Sequence, residues 1–155
     1  MTSKTMIRVG EAPFSLADVY QWLSASDEDG AIVTFTGKVR NHNAGDSIAT
    51  LTLEHYPAMT DKVLHDIATR ARERWPLQQV AIIHRVGCLA PGDEIVLVGV
   101  SSAHRSSAFA AASYIMDILK TQAPFWKREA TAQGDRWVSS RESDAQAARR
   151  WDESR

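Results

Sequence analysis

The sequence predicts an α+β fold with a mixed, largely antiparallel sheet. Several stretches have the β-branched content or the alternation of strands, and longer stretches have apolar residues at helical spacing. Strands and helices alternate irregularly, with at least one hairpin, which distinguishes the pattern from a regular βαβ repeat. The chain has 155 residues, 44% of them hydrophobic, so we expect one globular domain over 1–155.

In the first half of the chain, strands are predicted on both sides of one helix. The strands lie at 5–9, 31–39 and 48–56. Ser15 is a typical N-cap residue and predicts a helix that the run DEDG at 27–30 ends. The β-branched content of the second strand indicates a buried strand, and the alternation in the third indicates one solvent-facing side. The polar stretch 40–47 is rich in turn formers and predicts a loop.

The second half is predicted to hold longer helices and two further pairs of strands. Helices are predicted at 59–75, 104–120 and 142–151, and strands at 80–87, 94–102, 124–131 and 135–140. Apolar residues recur at three- and four-residue spacing in the first two helices, which Pro76 and Pro124 end. Pro91-Gly92-Asp93 is a turn between the first two strands, and Ala132-Gln133-Gly134 predicts a hairpin between the last two.

Several function classes are excluded by what the sequence lacks. Nucleotide-binding and hydrolase signatures are missing, and the five histidines include no H-x-x-x-H pair, which argues against a zinc site. Cys88 is the single cysteine; it favours a reducing compartment, and we interpret it as a small core residue rather than a nucleophile. Without a secretory signal or a membrane-length apolar run, we expect a soluble cytoplasmic protein.

Cationic side chains cluster where predicted elements end. Lys38 and Arg40 lie at the end of a strand, followed by His42 in the loop. His104 and Arg105 stand at a helix N-terminus among serines, where free backbone N–H groups, the helix dipole and a guanidinium can bind an anion. An ordinary capped helix is the alternative interpretation of the same residues.

Two lysines surround Pro124. Lys120 ends a helix and Lys127 lies in the next strand; a dipole-stabilising cation and a solvent-facing strand residue are the alternative interpretations. Because Pro124 turns the chain, the two ammonium groups are predicted to meet in one pocket. An amine near other cations, or partly desolvated, loses its proton more readily and can act as nucleophile or acid–base catalyst. Phe125 and Trp126 are interpreted as core anchors.

Four segments together resemble one family. They are DEDGAIVTFTGKVRNHN at 27–43, LEHYPAMT at 53–60, GDEIVLVGVSSAHRSSAF at 92–109 and LKTQAPFWKREAT at 119–131. With this spacing they resemble the bacterial catalytic (large) subunit of molybdopterin synthase, from about Phe14 to Trp151. The resemblance implies an α/β hammerhead-type fold with a small β subdomain, a homodimer at the centre of a heterotetramer, and a flexible tail after about residue 151.

The resemblance also implies a sulfurtransferase. Cyclic pyranopterin monophosphate would become molybdopterin by two sulfur transfers from the C-terminal thiocarboxylate of a small ubiquitin-like carrier subunit. No metal or redox cofactor would take part. The net charge of −1 and the lack of a membrane-length apolar run separately predict that neither nucleic acid nor a membrane is a partner. Lys120 and Lys127 would be catalytic, and Arg141 would reach the neighbouring protomer's pocket. The implied substrate-binding residues are Lys38, Val39, Arg40, His104, Arg105, Lys120, Lys127, Arg128, Glu129 and Arg141.

Three other functions compete with this one. The first is an adaptor that docks a ubiquitin-like tail without chemistry, which would not need the lysine pair. The second is acyl or phosphoryl transfer by Ser102 or Ser106 with His104, but a serine and a histidine two residues apart at a helix start do not face each other. The third is single-stranded RNA binding by the Arg- and Trp-rich C-terminal part, against which the net charge of −1 argues.

Overall fold

The computed structural model describes residues 4–138 and 142–153, which form two sheets and four helices. The strands are β1 (Lys4–Gly10), β2 (Ala31–Lys38), β3 (His42–Asn43), β4 (Asp46–His55), β5 (Gln79–Arg85), β6 (Gly87–Leu89), β7 (Glu94–Ser102), β8 (Phe125–Thr131) and β9 (Gly134–Val138). The helices are α1 (Leu16–Leu23), α2 (Pro57–Arg74), α3 (Arg105–Gln122) and α4 (Glu142–Glu153). The predicted α+β class is confirmed.

The first sheet has the order β1-β5-β7-β2 and contains the main core. β1 pairs with β5 in parallel, and the other pairs are antiparallel. The central strands β5 and β7 are buried almost throughout because α2 and α3 cover one face and α1 covers the other. Leu64, Ile67 and Ile115 fill the larger side of the core, and Leu23 packs on Leu97 at the smaller side.

The strand β2 is half-buried, which corrects the prediction of a buried strand. It pairs with β7 alone and therefore forms an edge of the first sheet. A bulge at Gly37/Lys38 interrupts the pairing where the strand ends, and Phe35 is exposed. β-branched content predicts a strand but does not say whether the strand is central or at an edge.

The second sheet is antiparallel, in the order β3-β4-β8-β9, and β6 pairs with the other side of β4. The predicted β8–β9 hairpin is present, and Gly134 at its turn has φ 106°. The predicted loop 40–47 instead holds β3 and the start of β4, joined through Ala44 and Gly45 at positive φ. Elements as short as β3 and β6 leave no periodicity in the sequence, so both were missed.

The start of α1 and the end of α3 lie where the sequence predicts, but α1 already ends at Leu23, before the run DEDG at 27–30. The Ser15 hydroxyl caps α1 by accepting from the Asp18 N–H at 3.3 Å, and α3 ends just before Pro124. The last helix, α4, lies on α3, and the indole N–H of Trp151 donates to Asp117 Oδ2 at 2.7 Å. Within the described residues, no helix is long and apolar enough to cross a membrane.

Parts of three predictions fall outside the described ranges. They are Ser139 and Ser140 at the end of the last predicted strand, Arg141 of the implied substrate-binding set, and 154–155 of the expected tail.

Candidate active site

A cavity of about 670 Å³ lies between the two sheets, where β2 and the C-terminal end of α3 meet β8. Residues from most of the chain line it, from Phe35 on β2 to Asp144 on α4. Its walls include four cationic side chains, Lys38, Arg40, Lys120 and Lys127, gathered from three stretches of sequence. The cavity can therefore hold an anionic ligand although the chain carries almost no net charge.

Most of the predicted site residues line this cavity: Lys38, Val39, Arg40, Lys120, Lys127 and Glu129. The two lysines around Pro124 thus share one cavity, and only two residues separate the end of α3 at Gln122 from the start of β8 at Phe125. Lys127 and Glu129 face the same side of β8, as residues two apart in a strand do.

Lys120 forms an ion pair with a carboxylate that also lines the cavity. Its Nζ lies 3.8 Å from Asp144 Oδ1 at the start of α4, and its side chain is 48% exposed. A pair at this distance and exposure contributes little stability. An incoming anion can therefore replace Asp144 at Lys120 at small cost.

His84 is a buried histidine in the cavity wall that the sequence analysis did not select. Its ring stacks on Phe125 at 4.1 Å between centroids, and Nδ1 lies 2.7 Å from the Arg85 carbonyl oxygen. Burial lowers the pKa of His84 to about 4. The hydrogen bond to Arg85 raises this pKa, and the charges of Lys127 and His55 lower it. At neutral pH the ring is uncharged, so Nδ1 donates to Arg85 and Nε2 is an acceptor. His84 lies within the apolar run VAIIHRV, which is typical of a buried core strand, so the pattern did not mark it as a site residue.

Glu129 is a buried carboxylate held by two partners that the sequence analysis also missed. It is 4% exposed and accepts from Asn43 Nδ2 at 3.0 and 3.1 Å and from Arg136 Nε at 3.1 Å. Hydrogen bonds to Asp46 and Glu129 raise the pKa of Arg136. These partners are 86 residues and 7 residues away in sequence, and no local motif marks them.

Three predicted site residues do not line the cavity of their own chain. His104 and Arg105 are exposed at the N-terminal end of α3, and Arg105 lies about 22 Å from Lys120 along the helix axis. Arg128 points to the opposite face of β8, where its guanidinium lies 5.9 Å from the Trp137 ring. The expected convergence of all the cations within one chain is therefore incomplete.

Ser102 does not form a nucleophile–base pair with His104. Ser102 Oγ donates to the Pro76 carbonyl at 2.7 Å and accepts from the backbone N–H of His104 at 3.3 Å. The hydroxyl is thus used in holding the backbone at the start of α3. This arrangement disfavours acyl or phosphoryl transfer through Ser102.

Two interpretations of core residues were wrong. Cys88 is exposed on β6, and it does not line the cavity. Trp126 is 42% exposed because it alternates with the inward-facing Phe125 and Lys127, and its ring lies edge-on to Tyr56 at 4.6 Å.

Among the described residues, no group of three His, Cys, Asp or Glu side chains could hold a metal ion.

Known proteins are similar to this chain in both sequence and fold. The family model described as MoaE protein matches residues 9–122. The molybdopterin synthase catalytic subunit of Salmonella typhimurium is 68% identical over 148 residues, which are 96% of this chain and 99% of that protein. The structure of a molybdopterin biosynthesis MoaE protein from Burkholderia ambifaria matches with a TM-score of 0.82 and 44% identity, over 96% of this chain and 99% of that chain.

A more distant structure has the same fold. It is described as a protein–protein complex of subunits 1 and 2 of molybdopterin-converting factor from Helicobacter pylori. The TM-score is 0.71 at 20% identity, over 88% of this chain and 91% of that chain.

Proposed function

Because the chain belongs to the MoaE protein family, we propose that it converts cyclic pyranopterin monophosphate to molybdopterin by inserting two dithiolene sulfurs. The sulfur arrives as the C-terminal thiocarboxylate of a small ubiquitin-like carrier subunit. The chain is an enzyme subunit, as the sequence predicted. The observation that carries the proposal is the meeting of Lys120 and Lys127 with Lys38 and Arg40 in one cavity.

The two lysines supply the chemistry in this proposal. Lys120 exchanges protons with the pterin intermediate or transiently captures the carrier carbonyl. Lys127 orients the thiocarboxylate and stabilises the oxyanion that develops on it. Because the carrier brings the sulfur, the exposed Cys88 has no role in the reaction.

The other cations bind the anionic groups of the two substrates. Lys38 and Arg40 line the same cavity as the lysine pair, and there they can hold a phosphate. His104 and Arg105 are too far along α3 to reach the cavity of their own chain, so we assign them to the cavity of a second protomer. The roles of Arg128 and Arg141 in substrate binding belong to the same proposal.

The proposed assembly is a heterotetramer in the cytoplasm, with a homodimer of this chain at its centre and a carrier at each end. Its support is the resemblance and the Helicobacter pylori neighbour, whose description names a complex of two subunits. A carrier tail is anionic at its end, which suits the cations of the cavity.

Turnover with defined substrates tests the proposal. The purified protein is mixed with thiocarboxylated carrier and cyclic pyranopterin monophosphate, and the dithiolene product is followed by mass spectrometry. Lys120→Ala should reduce turnover by about 100-fold or more, the size of a lost acid–base catalyst, while carrier binding changes far less. The control is Lys62→Ala, an exposed lysine on α2 that does not line the cavity.

Two results would contradict this function. Near-normal turnover by Lys120→Ala would remove that residue from the chemistry. Tight carrier binding by the wild-type protein with no dithiolene product would favour the tail-docking adaptor instead.

A further inference from the structure

One guanidinium joins three strands beside the cavity. Arg136 on β9 donates from Nη1 to Asp46 Oδ2 at 2.6 Å, from Nε to Glu129 Oε1 at 3.1 Å, and from Nη2 to the Asn43 carbonyl at 2.8 Å. Its partners belong to β4, β8 and β3, and two of them are 90 and 93 residues away in sequence. We call these four residues, Arg136, Glu129, Asn43 and Asp46, the Arg136 clamp.

Glu129 is the buried centre of the clamp. Both of its carboxylate oxygens lie within hydrogen-bond distance of Asn43 Nδ2, and one also accepts from Arg136. At 4% exposure, a polar side chain needs such hydrogen-bond partners to offset the cost of its burial. Both carboxylate oxygens are thus hydrogen-bonded to side chains of the protein, and through Asn43 the Glu129 side chain links β8 to β3.

The element held by the clamp is short. β3 and β4 pair through His42 with Ser47 and Asn43 with Asp46, around a tight turn at positive φ. The strand β4 is fixed by its pairing with β8 and β6, but two residue pairs alone are too few to fix β3 against it. The same segment begins at Arg40, which lines the cavity together with Lys120. Arg40 lies between Val39, whose backbone is hydrogen-bonded to Gly92 and Asp93, and this hairpin, so on its C-terminal side its position depends on what holds the hairpin.

We propose that Arg136 is a positioning residue, which acts through Glu129, Asn43 and Asp46 to hold the hairpin and so place Arg40 for the phosphate of the substrate. This inference rests on the proposed function and adds to it a residue outside the cavity lining. A purely structural role would lower the stability of the whole fold. A positioning role affects the hairpin and the binding of the phosphorylated substrate.

Hydrogen exchange of the purified chain tests the clamp without any assay of activity. Arg136→Met removes the guanidinium, and Arg136→Lys keeps the charge but loses the forked donors. Amides of 41–48 should exchange faster in both variants, and faster in the methionine variant, while β5 and β7 stay protected. The matched control is Arg8→Met, an exposed arginine on β1. Unchanged exchange in 41–48, or equal loss of protection throughout the fold, would overturn the inference.

Kinetics test the link to Arg40. In Arg136→Lys, KM for the pterin substrate should rise about tenfold, as expected when one charge-assisted contact is misplaced, with kcat within about twofold. The double variant Arg40→Ala/Arg136→Lys should be no worse than Arg40→Ala alone, because both remove the same contact. Additive losses, or a fall in kcat alone, would overturn the positioning role. An inactive wild-type enzyme would instead contradict the proposed function and leave the exchange result valid.

Discussion

Acidification should destabilise the protein through His84, and replacing this one residue should remove that part of the pH dependence. The ring is stacked on Phe125 and buried beside Lys127 and His55, so the folded protein disfavours its protonated form. Its pKa is about 4 in the folded protein against 6.5 for an unperturbed histidine. The unfolded chain therefore binds a proton first, and stability is lost as the pH falls from about 6.5 to about 4.

The size of the effect follows from the two pKa values of His84. Linkage gives a loss of roughly 2 kcal/mol in the free energy of unfolding between pH 7 and pH 5 from this residue alone. Carboxylates also titrate toward the acid end, so the informative quantity is the difference between wild type and a variant. His84→Asn keeps a donor for the Arg85 carbonyl but has no group that titrates in this range.

The assay is urea unfolding followed by tryptophan fluorescence at pH 7, 6 and 5. We expect the wild type to lose roughly 2 kcal/mol more than His84→Asn over this interval, whatever the difference between them at pH 7. His65→Gln, at an exposed position on α2, is the control and should follow the wild type. Parallel curves for wild type and His84→Asn would refute the reasoning, because His84 would then titrate equally in the folded and unfolded states.

Three further outcomes are expected. Asp144→Asn should tighten binding of the carrier tail about twofold, measured by calorimetry, because Lys120 no longer has to leave a carboxylate; unchanged affinity would contradict this. Ile115→Ala should lower the free energy of unfolding by about 2–5 kcal/mol in urea titrations, because the side chain is fully buried in the main core; a loss below about 1 kcal/mol would mean that the core refills the space. Trp151→Phe should cost about 1–2 kcal/mol by losing the hydrogen bond to Asp117, and unaltered stability would show that this bond contributes nothing.

The sequence predicted those features that depend on near neighbours in the chain. The helical spacing of α2 and α3, the cap at Ser15 and the stop at Pro124 are local, and the structure has them where they were predicted. The ends of predicted elements and the turn at Pro124 pointed to Lys38, Arg40, Lys120 and Lys127, which do share one cavity.

The residues that were missed depend on contacts between distant parts of the chain. Asn43 and Arg136 have no recognisable local pattern, and they matter only because sheet pairing brings β3, β8 and β9 together around Glu129. His84 was missed for a related reason, since an apolar strand does not say which of its residues borders a cavity. The exposure of Trp126 likewise follows from the face of β8 on which it lies.

The sequence by itself, then, determined which of the longer segments form helices and which form strands, and it placed cationic residues at their ends. The tertiary structure decided which of those cations meet. Lys120 and Lys127 come together because a short turn joins the end of α3 to β8. His104 and Arg105 do not join them in the same chain, because eighteen residues of rigid helix separate the two ends of α3.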